Sequence, residues 1–256
     1  MAASRFVLGL LFLAAMSVRA QEQNRLLQQG DEMFFQKQTD IALPLYEEAY
    51  KLDPRDNGAL IRLIRACSDL GWLRLHKDSS AEHYYRRAAV YADTLLAVSP
   101  DLPSAHFWKA MTSGSLIPFG GVSEKLKLGK EVRLEAEKTI ELDSTFALAY
   151  IILAIFERES AQLSWLERTI ARVIFGEELH GSFQASEEFL AQAVKYEPAN
   201  SYAYYERYWT YLAEGRKDAA AESLKRVLAI PARSQREEQQ RQLAQEYLEN
   251  LQKSSE

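Results

Sequence analysis

The sequence predicts an all-α protein built as an array of about five helical hairpins, with one amphipathic helix inserted and a capping helix at the C-terminus. Helix-breaking residues are scarce, since the 256 residues include only 11 glycines and 7 prolines. Apolar residues recur at helical spacing, and strand-like alternation is rare. A phrase typical of a helix end recurs as KLDP, AVSP, ELDS, KYEP and LAIP, finishing at Pro54, Pro100, Ser144, Pro198 and Pro231.

Residues 1–20 have the layout of a secretory signal peptide. Arg5 precedes an apolar run over residues 6–16, and a small-x-small cleavage site ends at Ala20. The run is too short to cross a bilayer, which disfavours the alternative of an uncleaved N-terminal anchor. Residues 21–256 then form a single repeat domain in a secreted or periplasmic protein. Cleavage changes the net charge from −5 to about −7, which argues against a general nucleic-acid binder.

The first hairpin unit, residues 23–56, matches the spacing of a tetratricopeptide repeat. Gly30 and Ala42 are small enough to let two antiparallel helices approach closely. Tyr46 is expected to fill the gap towards the next hairpin, and Pro54 ends the second helix. The fold is therefore expected to be tetratricopeptide-like. The array continues through units at residues 57–102, 103–145, 146–200 and 201–232, and a capping helix follows at residues 234–252.

Two capping boxes are predicted at helix starts in this array. Ser79 pairs with Glu82 in the second unit, and Ser234 pairs with Glu237 at the start of the capping helix. Such pairs satisfy backbone N–H groups that a helix leaves unbonded at its first turn.

An extra segment, residues 163–175, lies in the fourth unit, where an ordinary hairpin needs only a short turn. Its apolar residues have helical spacing and are Trp165, Leu166, Ile170, Val173 and Ile174. Two alternatives stay open: this helix closes over the groove between units three and four, or it lies on a membrane or partner surface. For the first, we expect Trp165, Arg168 and Arg172 to share a side that faces the protein and binds acidic helix ends. Trp165→Ala would then destabilise the fold by about 3–5 kcal/mol.

The fifth unit carries the best candidate for a partner-binding surface. In SYAYYERYWTYL, Tyr202, Tyr205 and Trp209 share one helix face, and Tyr204, Tyr208 and Tyr211 share another. One set is expected in the core, and the other is expected to line the concave groove, where aromatic anchors bind partners. Packing against the capping helix would use the same residues and is the alternative.

Residues that carry enzyme or metal chemistry do not cluster in this sequence. His76, His83, His106 and His180 lie in different units, and none has a second ligand type at metal spacing. Cys67, the single cysteine, is expected to be buried on a helix. No carboxylate is expected in an apolar setting that would raise its pKa. We therefore predict no enzyme, no cofactor and no metal site.

Residues 121–178 resemble the regulator of microtubule dynamics family. The resemblance rests on the phrase TIELDS and on the insertion motif LSW-x-x-R-x-x-A-x-x-x-FG, and the chain beyond continues in the family's order. It implies an all-helical tetratricopeptide-like domain that works through contacts with partners and has no catalytic residues to carry over. Eukaryotic relatives are associated with microtubules and organelle contact sites. Together with the N-terminal segment, the resemblance predicts an exported bacterial relative.

The expected function is an exported, non-enzymatic protein that binds a protein or peptide in its concave groove, as a scaffold or accessory subunit of an envelope complex. One alternative is a carrier for an apolar ligand such as a lipid, because the middle units are enlarged and hold the inserted helix. Another, by fold-level analogy, is an accessory subunit of a substrate-binding transport system. Peripheral membrane contact stays open, and no oligomeric state is predicted.

Overall fold

The computed structural model describes residues 2–75, 77–176 and 180–253, with side chains described from residue 16 onwards. The described residues form helices and turns without a strand, which confirms the predicted all-α class. The helices are α1 Ala2–Phe35, α2 Thr39–Leu52, α3 Asn57–Arg74, α4 Ala81–Val98, α5 Pro103–Leu116, α6 Val122–Leu142, α7 Ala147–Ala161, α8 Trp165–Phe175, α9 Phe183–Tyr196, α10 Ser201–Ala213, α11 Lys217–Ala229 and α12 Gln235–Lys253, with a 3-10 turn at Ile117–Phe119.

The helices pack as consecutive antiparallel hairpins. The paired helices are α1 with α2, α3 with α4, α5 with α6, α7 with α9, and α10 with α11. The inserted helix α8 interrupts the fourth hairpin and packs on α6, while α12 follows the fifth hairpin. Each hairpin also contacts the next, so a continuous row of buried residues runs through the array.

The close approach within the first hairpin depends on one glycine. A Cβ atom at Gly30 would lie 2.4 Å from Cε1 of Tyr46, so the tyrosine ring fills the space that glycine leaves in its own hairpin. Tyr46 is also fully buried in the core cluster that continues into α3 of the next hairpin. Asp31 adds a polar connection between the two hairpins, because its carboxylate accepts a hydrogen bond from the Tyr46 hydroxyl at 2.9 Å and one from Arg62 of α3 at 2.7 Å.

Helix starts agree in part with the predicted capping boxes. Helix α4 begins at Ala81, and the Asp78 carboxylate accepts from the Ser80 backbone N–H at 2.7 Å, so the box predicted at Ser79 is wrong. At α12, the Ser234 hydroxyl accepts from the Glu237 N–H at 3.2 Å as predicted. The Glu237 carboxylate, however, accepts from the backbone of Arg233 at 2.6 Å, which makes the box incomplete.

A complete capping box occurs where the sequence analysis did not place one. At the start of α8, the Ser164 hydroxyl accepts from the Glu167 N–H at 3.4 Å, and the Glu167 carboxylate accepts from the Ser164 N–H at 2.8 Å. Both ends of α8 are therefore fixed by local chemistry, since Gly176 takes the left-handed conformation, with φ 81°, just after its last residue.

The C-terminal helix α12 reaches back across the array. It packs on α11 and α10 and also contacts α3 in the second hairpin. An ion pair of 2.6 Å joins Glu238 of α12 to Lys37, which follows α1. The last helix thus connects the fifth hairpin to the first two.

In the part of α1 whose side chains the structure describes, burial begins beyond the predicted cleavage site. Residues 16–20 are all exposed, Arg19 donates to the Lys51 carbonyl at 3.4 Å, and the first buried side chain from residue 16 onwards is that of Gln23. Within the described residues, no helix is long and apolar enough to cross a membrane.

Candidate binding cavity

The hairpins and α12 surround a cavity of about 970 Å³, here called the central cavity. Its walls come mainly from the first helices of the hairpins, α3, α5, α7 and α10, with α6, α8 and α12 closing the remaining sides. Most of the lining is aromatic or aliphatic and includes Trp72, Trp108, Met111, Ile152, Ile155, Phe156, Phe175 and Tyr205. A space of this size with such walls can hold an apolar molecule of considerable length.

One side of the central cavity carries a group of polar side chains, here called the polar cluster. Arg65, Ser68 and Asp69 belong to α3, and Arg236 and Gln240 belong to α12. Because the two helices lie far apart in the chain, only the return of α12 to α3 brings these residues together. Arg65 also stacks on Phe34 at the cavity edge, 4.0 Å from its ring centroid.

Arg236 is the central residue of the polar cluster. Its guanidinium lies 5.5 Å from the ring centroid of Trp72 and 5.2 Å from that of Tyr202, and its Nη1 is 4.0 Å from Oδ1 of Asp69. A guanidinium between two aromatic faces gains cation–π attraction that partly compensates for its burial. Arg236 therefore connects α12, α3 and α10 through one side chain.

Asp69 is a buried carboxyl group with an altered pKa. Burial raises its pKa to about 6, and the nearby Glu237 adds to that shift, while Arg236 and Arg65 oppose it. Burial also raises the pKa of Glu157, whose carboxylate accepts from the Ser182 N–H at 3.1 Å. The expectation that no carboxylate lies in an apolar setting is therefore wrong.

Three hydrogen-bond donors of the polar cluster have no partner among the described residues. They are Nε of Arg65, Oγ of Ser68 and Nε2 of Gln240, and all three atoms are buried. Because these three atoms have almost no accessible surface, they lie behind the cavity wall, and the polar part of the wall comes from the other atoms of the cluster side chains. The arrangement gives the cavity a long apolar part and a small hydrogen-bonding part.

A buried ion pair joins two helices that form the cavity wall. Nη1 of Arg158 in α7 lies 2.8 Å from Oε2 of Glu206 in α10, and the two side chains are only 9% and 8% exposed. Arg158 also contacts Glu159 at 3.1 Å. Because Glu206 lines the central cavity, this pair fixes the spacing of the wall on that side.

The aromatic residues predicted as a partner-binding face are divided between two environments. Tyr202 and Tyr205 line the central cavity, whereas Trp209 packs against Tyr247 of α12, with ring centroids 5.6 Å apart. Tyr208 of the other predicted set stacks on the same Tyr247 at 5.5 Å. Both sets therefore contribute to packing against α12, and neither forms an open aromatic surface. Of the remaining two, Tyr211 is buried and Tyr204 donates to a backbone carbonyl.

The inserted helix α8 has the opposite orientation to the predicted one. Trp165 is 80% exposed and Arg172 is exposed, while Arg168 donates to the backbone carbonyls of Leu163 and Ala161 at 3.0 and 3.1 Å. The expectation that Trp165 and Arg172 face the protein is wrong, while Arg168 does turn onto the protein and binds carbonyl groups at the end of α7. The inner side of α8 is instead formed by Ile170, Ala171, Ile174 and Phe175, which pack against Leu126 and Phe156.

The side chains of His106 and Cys67 are held in structural contacts. His106 bonds the Glu135 carboxylate at 2.6 Å and the Pro100 carbonyl at 2.7 Å. Cys67 is buried as expected, and burial raises its pKa to about 12. Within the described residues, no group of three or more His, Cys, Asp or Glu side chains is placed to hold a metal ion. His76 lies outside the described residues.

The array resembles a known repeat protein in three dimensions. The crystal structure of a thermophilic TPR protein from Thermus thermophilus matches with a TM-score of 0.63 at 17% identity, covering 87% of this chain and 98% of that chain. This match shows that the chain has a TPR-like helical repeat fold, a type of fold that typically mediates protein–protein interaction.

Curated relatives share the sequence over most of this chain. Regulator of microtubule dynamics protein 1 of Mus musculus is 24% identical over 220 residues, covering 84% of this chain and 70% of that protein. Regulator of microtubule dynamics protein 3 of Rattus norvegicus is 27% identical over 182 residues, covering 70% of this chain but only 38% of that protein. The family model described as regulator of microtubule dynamics protein 1-3 matches residues 26–252. The chain therefore belongs to the regulator of microtubule dynamics protein 1-3 family, as the resemblance in residues 121–178 had indicated.

Proposed function

We propose that this protein is a non-enzymatic binding protein whose central cavity holds a molecule with a long apolar part and a small polar end. The central cavity carries the proposal, because its volume of about 970 Å³ lies at the upper end of the range for ligand sites. Its aliphatic and aromatic walls match an apolar chain, and the polar cluster places charged and amide side chains on one side.

The proposal is tested by measuring what the purified protein carries and what it takes up. Native mass spectrometry of the gently purified wild type should show added mass that organic solvent extracts. Where the natural ligand is lost during purification, a fluorescent long-chain fatty acid should bind with saturation. Bare polypeptide that also fails to bind this probe would refute the cavity proposal.

A matched pair of glycine substitutions shows where the ligand binds. A Cβ at Gly114, which lines the cavity, would meet only Cγ2 of Val132 at 3.6 Å, so the side chain of Gly114→Leu should take up part of the cavity volume. Gly121 does not line the cavity, and a Cβ there would meet nothing within 4 Å. We expect Gly114→Leu to weaken probe binding about tenfold or more and Gly121→Leu to leave it unchanged.

A protein or peptide partner is the second candidate, and the position of α12 favours it. This polar helix lies against α3 and α10 with buried side-chain atoms of Gln235, Gln239 and Gln240 that lack hydrogen-bond partners. A partner helix that supplied these missing hydrogen bonds would compete with α12 for the same surface of α3 and α10. The relatives' name, which refers to microtubules, also points to a protein partner.

The partner proposal is tested by affinity capture with aromatic variants. If a partner helix replaces α12, substitution of Tyr205 or Trp209 by Ala should weaken capture of the same protein, because both residues lie at the surface that α12 covers. Arg86→Met on the outer side of α4 serves as the control. If none of the aromatic substitutions changes the amount of captured protein, this use of the groove is refuted.

Export from the cytosol is part of the proposal and rests on residues 1–20. The exposure of residues 16–20 supports it, because their removal takes no buried side chain from the described core, although it removes the 3.4 Å hydrogen bond from Arg19 to the Lys51 carbonyl. N-terminal sequencing of the protein from its native host should begin at Gln21. A chain that retains Met1 would contradict cleavage, and the result also decides whether a cytoskeletal partner is accessible.

A further inference from the structure

The outward side of α8 presents an unusual concentration of apolar side chains. Trp165 is 80% exposed, Leu166 58% and Val173 81%. At 3.6 residues per turn, these three lie with Thr169 and Arg172 on one arc of about 120°, here called the outer face of α8. The opposite side packs on Leu126 and Phe156, so α8 is apolar on both sides although only one side is buried.

Single exposed apolar residues occur elsewhere on the described helices. Val90 on α4 and Leu134 on α6 each have polar neighbours at helical spacing, which is ordinary for a protein surface. Three large apolar residues on one eleven-residue helix are different, because a contiguous exposed patch marks a surface that something covers.

The charges around α8 indicate which surface covers it. Arg172 lies on the outer face and Lys125 is near Glu167, whereas Lys130 donates to the Ile174 carbonyl at 3.0 Å from α6, on which the inner side of α8 packs. The Glu167 carboxylate, the one acidic group within α8, is turned back onto Ser164. A tryptophan beside exposed aliphatic groups and cations is the composition of a helix that lies in an anionic lipid headgroup region.

We propose that the outer face of α8 docks on an anionic lipid bilayer, with Trp165, Leu166 and Val173 at the boundary between headgroups and acyl chains. The inner side of the same helix borders the central cavity through Phe175, so docking places the cavity beside the bilayer. Membrane contact of this kind goes beyond the proposed function, and it stands whether or not the cavity binds a ligand.

The experiment places an environment-sensitive fluorophore at two exposed valines of the full chain. Val173→Cys and Val90→Cys are labelled with a nitrobenzoxadiazole maleimide, and Cys67 does not compete because it is buried. The labelled proteins are mixed with vesicles of phosphatidylcholine alone or with phosphatidylserine added. We expect emission from residue 173 to rise about threefold on phosphatidylserine vesicles, with a smaller rise on phosphatidylcholine alone, and emission from residue 90 to stay unchanged.

A second variant keeps the test independent of the N-terminal segment, whose apolar run can also bind vesicles. Trp165→Ser with Leu166→Ser should abolish the rise at residue 173 while leaving residues 1–20 intact. The proposal is overturned if residue 173 gives no rise, if residue 90 rises equally, or if neutral vesicles have the same effect as anionic ones. A rise that depends on protein concentration without vesicles would assign the outer face to a second copy of the chain and overturn it as well.

Discussion

The buried pair Arg158–Glu206 should reveal whether α7 and α10 depend on one another. Replacing Arg158 by Met leaves the Glu206 carboxylate buried without its partner. At 2.8 Å and an effective dielectric constant of about 20, the lost attraction is about 6 kcal/mol. Because desolvation of both charges offsets part of this attraction, we expect Arg158→Met to lower the free energy of unfolding by about 3–5 kcal/mol.

Urea unfolding followed by circular dichroism measures this effect in a double-mutant cycle. The double variant Arg158→Met with Glu206→Leu removes both charges, and we expect it to recover to within about 2 kcal/mol of the wild type. The exposed pair Arg86–Glu82, with side chains 60% and 40% exposed, is the control, since Arg86→Met should cost less than about 0.5 kcal/mol. If Arg158→Met costs no more than the control, the pair is not buried in solution and the reasoning fails.

Three further substitutions test burial at single sites. Trp165→Ala should change the free energy of unfolding by less than about 1 kcal/mol in thermal or urea unfolding, because the side chain is 80% exposed. Gly181→Ala should cost at least about 1–3 kcal/mol in the same assay, because its Cβ would lie 2.2 Å from the Ala161 backbone nitrogen, whereas Gly121→Ala meets nothing. The free energy of unfolding of Asp69→Asn, relative to the wild type, should rise by about 2–3 kcal/mol between pH 4 and pH 7 in urea unfolding. The raised pKa of Asp69 means that its ionisation destabilises the folded wild type over this range, and asparagine does not ionise.

Each of these predictions has a contrary result. A loss above about 3 kcal/mol for Trp165→Ala would mean that the outer face of α8 packs on the protein. Equal stability of the Gly181 and Gly121 variants would show that α9 does not begin against α7 as described. If the difference in unfolding free energy between the wild type and Asp69→Asn stays constant with pH, Asp69 has an ordinary pKa.

Much of the fold could be predicted because its signals are local. Pro54, Pro100, Pro198 and Pro231 each follow the end of a helix. Gly30 and Tyr46 meet within one hairpin. The family resemblance depended on the similarly local motif in residues 163–175. Local patterns of this kind define helices and hairpins, and a tetratricopeptide-like array follows from stacking them.

The enlarged middle units indicated space for an apolar ligand, but the polar cluster of the central cavity could not be predicted, because it joins residues from distant helices. Asp69 and Arg236 meet only when α12 returns to α3, and no periodicity in either helix indicates that contact. The one available signal was Asp69 itself, an acid within the otherwise buried run of α3.

The orientation of α8 was not predicted because both of its sides are apolar. Periodicity identifies such a helix but does not show which of its two sides is buried. Contacts with Leu126 and Phe156 on neighbouring helices determine which side faces inwards. Trp165 and Arg172 were expected on the inner side because an aromatic ring and a guanidinium can each bind other groups. The structure instead places the smaller Ala171 and Ile174 there, where they pack against neighbouring helices.

The return of α12 to the first two hairpins changes how the array is expected to unfold. Repeat arrays that touch only their sequence neighbours open progressively from either end, because each terminal unit has one interface to lose. Here the ion pair between Lys37 and Glu238 and the contact of α12 with α3 join the two ends. The slowest amide hydrogens of α1 beyond residue 20, α3 and α12 should therefore exchange together in one global transition, as in a globular domain, and not in a gradient from the termini.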